Sequence, residues 1–235
     1  MCIRDSSIIG HLDQANTLTG SSQNDIITGG DLNDILNGGA GTNTVSYINA
    51  GAAVSVDLSI GTAQNTGGGG SDTLSNFNNL TGSDFNDTLL GDSADNIIEG
   101  GAGDDVIDGA GGSDTASYAS AASGVSIDLA ESGPQDTLGA GQDTLSNIEN
   151  LIGSAFDDTL FGDSGNNILT GGDGDDVISG GIGADTIDGG DGIDTGDYTF
   201  TNGGLTVNLD TGQACLLYTS PSPRDATLTR MPSSA

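Results

Sequence analysis

One position of a nine-residue unit collects almost all of the chemistry in this chain. Asp25, Asp34, Asp87, Asp105, Asp114, Asp158, Asp176, Asp185 and Asp194 occupy the sixth position of that unit, and Asn43, Asn96 and Asn167 are its three exceptions. These side chains offer oxygen, and oxygen donors in series are suited to a hard cation. No internal base competes for them. The chain has no Lys, and its three Arg (Arg4, Arg224, Arg230) all lie near the ends.

The units that must position these acids run in three uninterrupted blocks, residues 20–46, 82–117 and 153–197. Typical copies read GGAGDDVID, GGDGDDVIS and GGIGADTID. Position 1 is Gly in all twelve copies, and positions 2 and 4 favour Gly. The first six residues therefore read as a turn. Position 7 is Ile, Val or Thr and position 8 is mostly Ile, Leu or Val, which reads as a short strand. Alternation along a strand lets position 8 point inward, as a ladder of Ile27, Leu36 and Val45, then Leu89, Ile98 and Ile107, then Leu160, Leu169, Ile178 and Ile187. The ladder shrinks to Ala116 and Gly196, where Tyr118 and Tyr198 are expected to fold over the small residue and close it.

Two 35-residue spacers separate the blocks, 47–81 and 118–152, and they align without a gap. VSVDL matches VSIDL, and SDTLSNFNNL matches QDTLSNIENL. Residues 7–19 read as the end of an earlier spacer and 198–214 as the start of a later one. Successive spacer tyrosines are 71 and 80 residues apart, a difference of one nonapeptide. Length that grows in whole units implies a solenoid with no single closed core.

The two ends belong to a different text. Back-translation of MCIRDS gives a strand whose complement encodes CLLYT, so one inverted oligonucleotide flanks the frame, resembling a transposase-type sequencing adapter. Residues 1–6 and 215–235 are therefore read as adapter-derived and set aside from fold reasoning. They hold both Cys, both Met and every Arg, while 32 of the 34 acidic residues, all but Asp5 and Asp225, lie between them. The interior thus carries only negative charge. Nucleic acid and anionic membrane are poor partners for such a surface, being polyanions themselves, and no apolar run is long enough for membrane insertion. Without Cys there is no disulfide or thiolate zinc site. With His11 as the one histidine, no HExxH site or histidine triad can form. No catalytic residue is expected within these limits.

Stacked turns would repeat at a strand spacing of about 4.8 Å, where two carboxylates repel by roughly 3 kcal/mol at an effective dielectric near 20. Each unit buries only one or two aliphatic side chains against the cost of ordering nine residues. The stack is expected to be marginal or unfolded until a divalent cation reverses the electrostatic term. An all-oxygen, flexible donor set favours Ca²⁺ over Mg²⁺ or Zn²⁺.

The repeats resemble the GGxGxDxUx unit of the RTX (hemolysin-type) calcium-binding family. The resemblance implies an all-β, right-handed parallel β-roll with two nonapeptides per turn and several Ca²⁺ ions between loops one turn apart. It also implies a secreted or cell-surface protein, exported by type I secretion machinery and folding on extracellular calcium. Carried onto this sequence, the fully charged pairs are Asp87 with Asp105, Asp158 with Asp176, and Asp176 with Asp194. Carbonyls around Gly101, Gly103, Gly172, Gly174, Gly190 and Gly192 are implied to complete those sites. Pairs containing Asn, namely Asp25 with Asn43, Asn96 with Asp114 and Asn167 with Asp185, are expected to bind less tightly, and the first block, which includes Asp34, is expected to be weakest. The expected role is a calcium-binding module that scaffolds a larger protein of adhesin or surface type, in contact with that protein's neighbouring repeats. The alternative is the C-terminal region of a secreted protease, lipase or cytolysin whose catalytic domain lies elsewhere.

Overall fold

The computed structural model describes residues 6–197 and, beyond them, the strands Leu205–Asn208, Cys215–Leu217 and Ala226–Leu228. Tyr198 lies outside the described residues. Every described regular element is a β-strand, and no helix is long and apolar enough to cross a membrane. Glycine at the head of each unit disfavours helix, and the β-branched pair at its tail favours strand. The strands accordingly fill positions 7 to 9, as in Thr88–Leu90, Ile97–Glu99 and Val106–Asp108.

Strands two units apart pair in parallel and in register. Thr88 and Leu89 stand beside Val106 and Ile107, and Ile168 and Leu169 beside Thr186 and Ile187. Units adjacent in sequence contribute to different sheets, so two nonapeptides make one coil of a parallel β-roll. Register puts position 8 of every coil over position 8 of the next. Ile27, Leu36, Val45, Leu89, Ile98, Ile107, Leu160, Leu169, Ile178 and Ile187 are all buried. Position 7 faces out, with Val106 44% and Ile168 53% exposed.

The chain divides into two compact units, Met1–Thr115 with Asp143–Asn147, and Ala116–Gln142 with Ile148–Ala235. In the first, one sheet takes Ser6–Ile9, Asp25–Thr28, Thr44–Ser46, Asn79–Thr81 and Ile97–Glu99 in that order. Its alternate strands fall into two groups. Thr17–Thr19, Ile35–Asn37 and Gly70–Ser75 form one, and Ser55–Asp57, Thr88–Leu90, Val106–Asp108 and residues 144–146 the other. In the second unit Asn150–Ile152, Ile168–Asp173, Thr186–Asp191 and Leu205–Asn208 follow one another, as do Ser126–Asp128, Thr159–Phe161, Val177–Ser179, Thr195–Asp197 and Cys215–Leu217.

The spacers enter the stack as coils of their own. Leu80 lies between Val45 and Ile98 in register, Leu74 stands beside Leu36, and Val56 beside Leu89. The apolar ladder therefore runs on past Val45, and past Ala116 too, because Thr115–Ser117 is followed in its sheet by Asn150–Ile152; the expected closure at Ala116 by Tyr118 is corrected. Tyr118 is buried, yet its N–H donates to the Ile152 carbonyl at 2.9 Å and so joins the next strand. Each spacer also staples one strand with a side-chain amide. Gln64 Oε1 accepts the Asp57 N–H at 2.9 Å while Gln64 Nε2 donates to the Asp57 carbonyl at 2.8 Å. Gln135 grips Asp128 in the same way.

Leu169 and Ile168 are neighbours in one strand with opposite exposures, which makes them a matched pair for mutation. Leu169→Ala should lower stability by ~2–5 kcal/mol, and Ile168→Ala by no more than about 0.5 kcal/mol. Urea unfolding of both variants in saturating Ca²⁺ checks this.

Candidate metal centre

Each position-6 side chain reaches back one coil. Asp105 Oδ1 accepts the Asp87 N–H at 2.8 Å, Asp176 Oδ1 the Asp158 N–H at 2.8 Å, and Asp194 Oδ1 the Asp176 N–H at 3.2 Å. The asparagine-containing pairs stack identically: Asn96 donates to Asp114 at 2.8 Å, Asn167 to Asp185 at 3.0 Å, and Asp25 to Asn43 at 3.0 Å. Position 5 reaches forward. Asn86 Oδ1 accepts the Asp104 N–H at 3.0 Å, and Asp157 and Asp175 accept the N–H groups of Asp175 and Ile193 at 2.9 and 2.8 Å. Two oppositely directed side-chain clamps thus join each loop to the one above it.

The clamp uses one carboxylate oxygen and leaves a second. In the first unit of each block, position 2 is serine, and its N–H donates to that oxygen: Ser21 to Asp25, Ser83 to Asp87, Ser154 to Asp158. Farther along the columns the donor is missing. Asp34 Oδ2, Asp105 Oδ2, Asp176 Oδ2 and Asp185 Oδ2 are buried with no hydrogen-bond partner. Asp176 Oδ2 lies against the Cα of Gly171, where a Cβ would strike both it and the Gly189 carbonyl oxygen of the following coil. A buried carboxylate oxygen without a donor, facing a main-chain carbonyl across one small space, fits a cation, and the crowding also explains why position 1 is glycine.

Among the described residues no three acidic or histidine side chains converge. Any ion held here must take most of its ligands from the main chain, a donor set that suits calcium. The six predicted glycines Gly101, Gly103, Gly172, Gly174, Gly190 and Gly192 lie in these loops with φ between 89° and 147°. Their α-carbons rest directly on main chain one coil earlier, Gly172 over the Ser154 carbonyl and Gly190 over the Gly172 carbonyl. Asp114 and Asp194, also expected from sequence, are buried in the same columns.

Besides the position-5 clamp, three features escaped the sequence reading. Serine at position 2 marks the start of each block, as Ser21, Ser83 and Ser154. Aspartate at position 2, Asp92 and Asp163, occurs only where position 6 is Asn. In those two loops the amide nitrogens of Asn96 and Asn167 turn to the carbonyls of Asn78 and Glu149, both at 2.7 Å. Their oxygens stay over Gly91 and Gly162. Third, Asp72 and Asp143 of the spacers continue the position-6 columns, accepting the N–H groups of Asp34 and Asp105 at 2.8 and 2.9 Å. The ninefold count hid them because their loops have other lengths.

With the fold and its acidic columns in place, the comparison with known families is direct. The RTX calcium-binding nonapeptide repeat matches four times, over residues 12–45, 81–116, 143–178 and 161–195. These cover more than half of the chain, which belongs to this family: it is a calcium-binding repeat protein that takes several Ca²⁺ ions. No curated protein matches it.

Burial pushes the Asp105 carboxyl up to about 7, against the opposing pull of the Asp87 N–H and with help from the charges of Asp143 and Asp87. Asp176 is pushed up to about 7 by burial too, with Asp158 and Asp194 adding to it. Burial likewise raises Asp185, where the Asp163 charge adds to the effect. A carboxyl whose folded pKa lies above its unfolded value stabilises the ion-free fold while protonated, and that stabilisation is lost as pH rises through the folded value. In EDTA the β-sheet circular dichroism signal should therefore grow as pH falls from about 8 to 5, across the raised values of Asp105 and Asp176. A signal that stays flat or shrinks over that range would show that these carboxyls do not control the ion-free coil.

Proposed function

We propose that the chain is a calcium-loaded scaffold segment of a larger secreted protein, folding outside the cell and extending that protein in the manner of an adhesin or surface component. The observation that carries this reading is the series of buried carboxylate oxygens without donors, at Asp34, Asp105, Asp176 and Asp185, in an interior devoid of basic side chains. Bound calcium supplies the positive charge these oxygens lack.

Asp87 with Asp105, Asp158 with Asp176, and Asp176 with Asp194 are assigned as the paired ligands, with main-chain carbonyls from the glycine-rich loops beside them. Asp25, Asp34, Asp114 and Asp185 are assigned to sites of lower charge. The carboxyls bind in their ionised form, so affinity should rise with pH through the raised values of Asp105 and Asp176. The scaffold role is favoured because blocks and spacers share one in-register column, as Val45, Leu80 and Ile98 do. Added repeats lengthen such a stack without altering either neighbour. No catalysis is assigned to it.

Titration of the full chain from EDTA into millimolar Ca²⁺, the range of extracellular modules, should convert a disordered circular dichroism spectrum into a β spectrum, and Mg²⁺ should not substitute. A spectrum indifferent to Ca²⁺ would refute the proposal. Within the same titration Asp176→Ala should raise the calcium midpoint more than Asp114→Ala, because Asp176 is assigned to two pairs.

A further inference from the structure

Asp72 stands where the fold puts the sixth residue of a repeat. It precedes Thr73–Ser75 as Asp34 precedes Ile35–Asn37, those segments pair in register, and the Asp34 N–H donates to Asp72 Oδ1 at 2.8 Å. Its second oxygen is treated differently from that of Asp34. Tyr47 OH and Thr66 Oγ1 each donate to Asp72 Oδ2 at 3.0 Å, and all three residues are at least 97% buried. One coil earlier, Asp34 Oδ2 has no donor at all.

We propose that the first spacer ends a column of cation sites at this rung, two hydroxyl groups donating to the carboxylate oxygen that in a repeat is left for an ion. The inference rests on the calcium reading above and adds to it where a column stops. Asp72 is an acid of the column that holds no calcium. Both hydroxyls belong to the spacer, so the stop is encoded there and not in the repeats. Gly69 makes room for it, since a Cβ at that position would strike the Tyr47 ring and the Thr66 hydroxyl. Thr66 Oγ1 has a second acceptor in the Gly70 carbonyl at 3.2 Å, which leaves Tyr47 as the dedicated donor. Burial holds the Tyr47 phenol well above its ordinary pKa, so it keeps its proton. The same residue types recur 71 positions later as Tyr118, Thr137 and Asp143, and Asp143 Oδ1 accepts the Asp105 N–H as Asp72 accepts that of Asp34.

The test compares Asp72→Asn, Asp176→Asn and Tyr47→Phe in the full chain, measuring bound calcium by equilibrium dialysis and the calcium midpoint by circular dichroism. Asp72→Asn should bind as many ions as the unmodified chain at the same midpoint. Asp176→Asn should lose at least one ion and raise the midpoint by roughly tenfold, the scale of one lost charge-assisted contact. Tyr47→Phe should keep its ions but melt about 3–8 °C lower in saturating Ca²⁺, because a buried carboxylate has lost a donor. Loss of an ion in Asp72→Asn, or a midpoint shifted as far as in Asp176→Asn, would overturn the inference. So would an unchanged melting point in Tyr47→Phe. A chain that binds no calcium in any form would overturn the preceding proposal instead, while the Tyr47→Phe melt would still report on the hydroxyl contact.

Discussion

The hydrogen bond from a main-chain N–H to the position-6 side chain one coil later is the contact on which the rest of this structure depends. It fixes the distance between coils, takes the side chain out of solvent, and commits one carboxylate oxygen to the protein. The other oxygen is then a buried acceptor whose needs must be met from outside the repeat. Burial without a partner is costly for any acceptor and more so for a charged one. A fold that uses aspartate where asparagine could make the same clamp, as Asn43 does for Asp25, has kept a charge beyond what the clamp itself requires.

Three answers to that charge occur along the chain. Serine N–H groups meet it at the first unit of each block, beside Asp25, Asp87 and Asp158. Hydroxyls meet it at Asp72. Elsewhere the Oδ2 atoms of Asp34, Asp105, Asp176 and Asp185 find no donor in the protein. These answers are spread over several columns: serine precedes a donor-less oxygen in the columns of Asp87 with Asp105 and Asp158 with Asp176, and hydroxyls follow one in that of Asp34 with Asp72. A single nonapeptide cannot express this. Its chemistry is defined by which coil lies above it and which below.

The sequence made the repeat period, the strand positions and the inward ladder legible because they are local and recur twelve times. The pairing of loops two units apart, Asp87 with Asp105 for example, was legible from the same count once the family resemblance supplied two units per coil. The spacers were not. Asp72 follows Asp34 by 38 residues and Asp143 follows Asp105 by 38, so a search at ninefold spacing passes over both. Tyr47 was visible as a recurrent residue, but its partner Asp72 is 25 positions away in sequence and only the folded spacer brings them together. The clamp at position 5 was missed because Asn86 and Asp157 look like ordinary polar turn residues until the coil above them is in place.

The amide of Gln64 bears on what a stack of parallel strands does to its neighbours. Ser55–Asp57 meets Thr88–Leu90 along one side, through Thr88 N–H to Val54 and Leu58 N–H to Leu90. Asp57 directs its own N–H and carbonyl away from that partner, where an open strand would recruit the nearest chain of similar sequence. Gln64 fills both groups with one side chain. In a stack of near-identical rungs, such a stopper closes a strand edge that another copy of the chain could otherwise pair with.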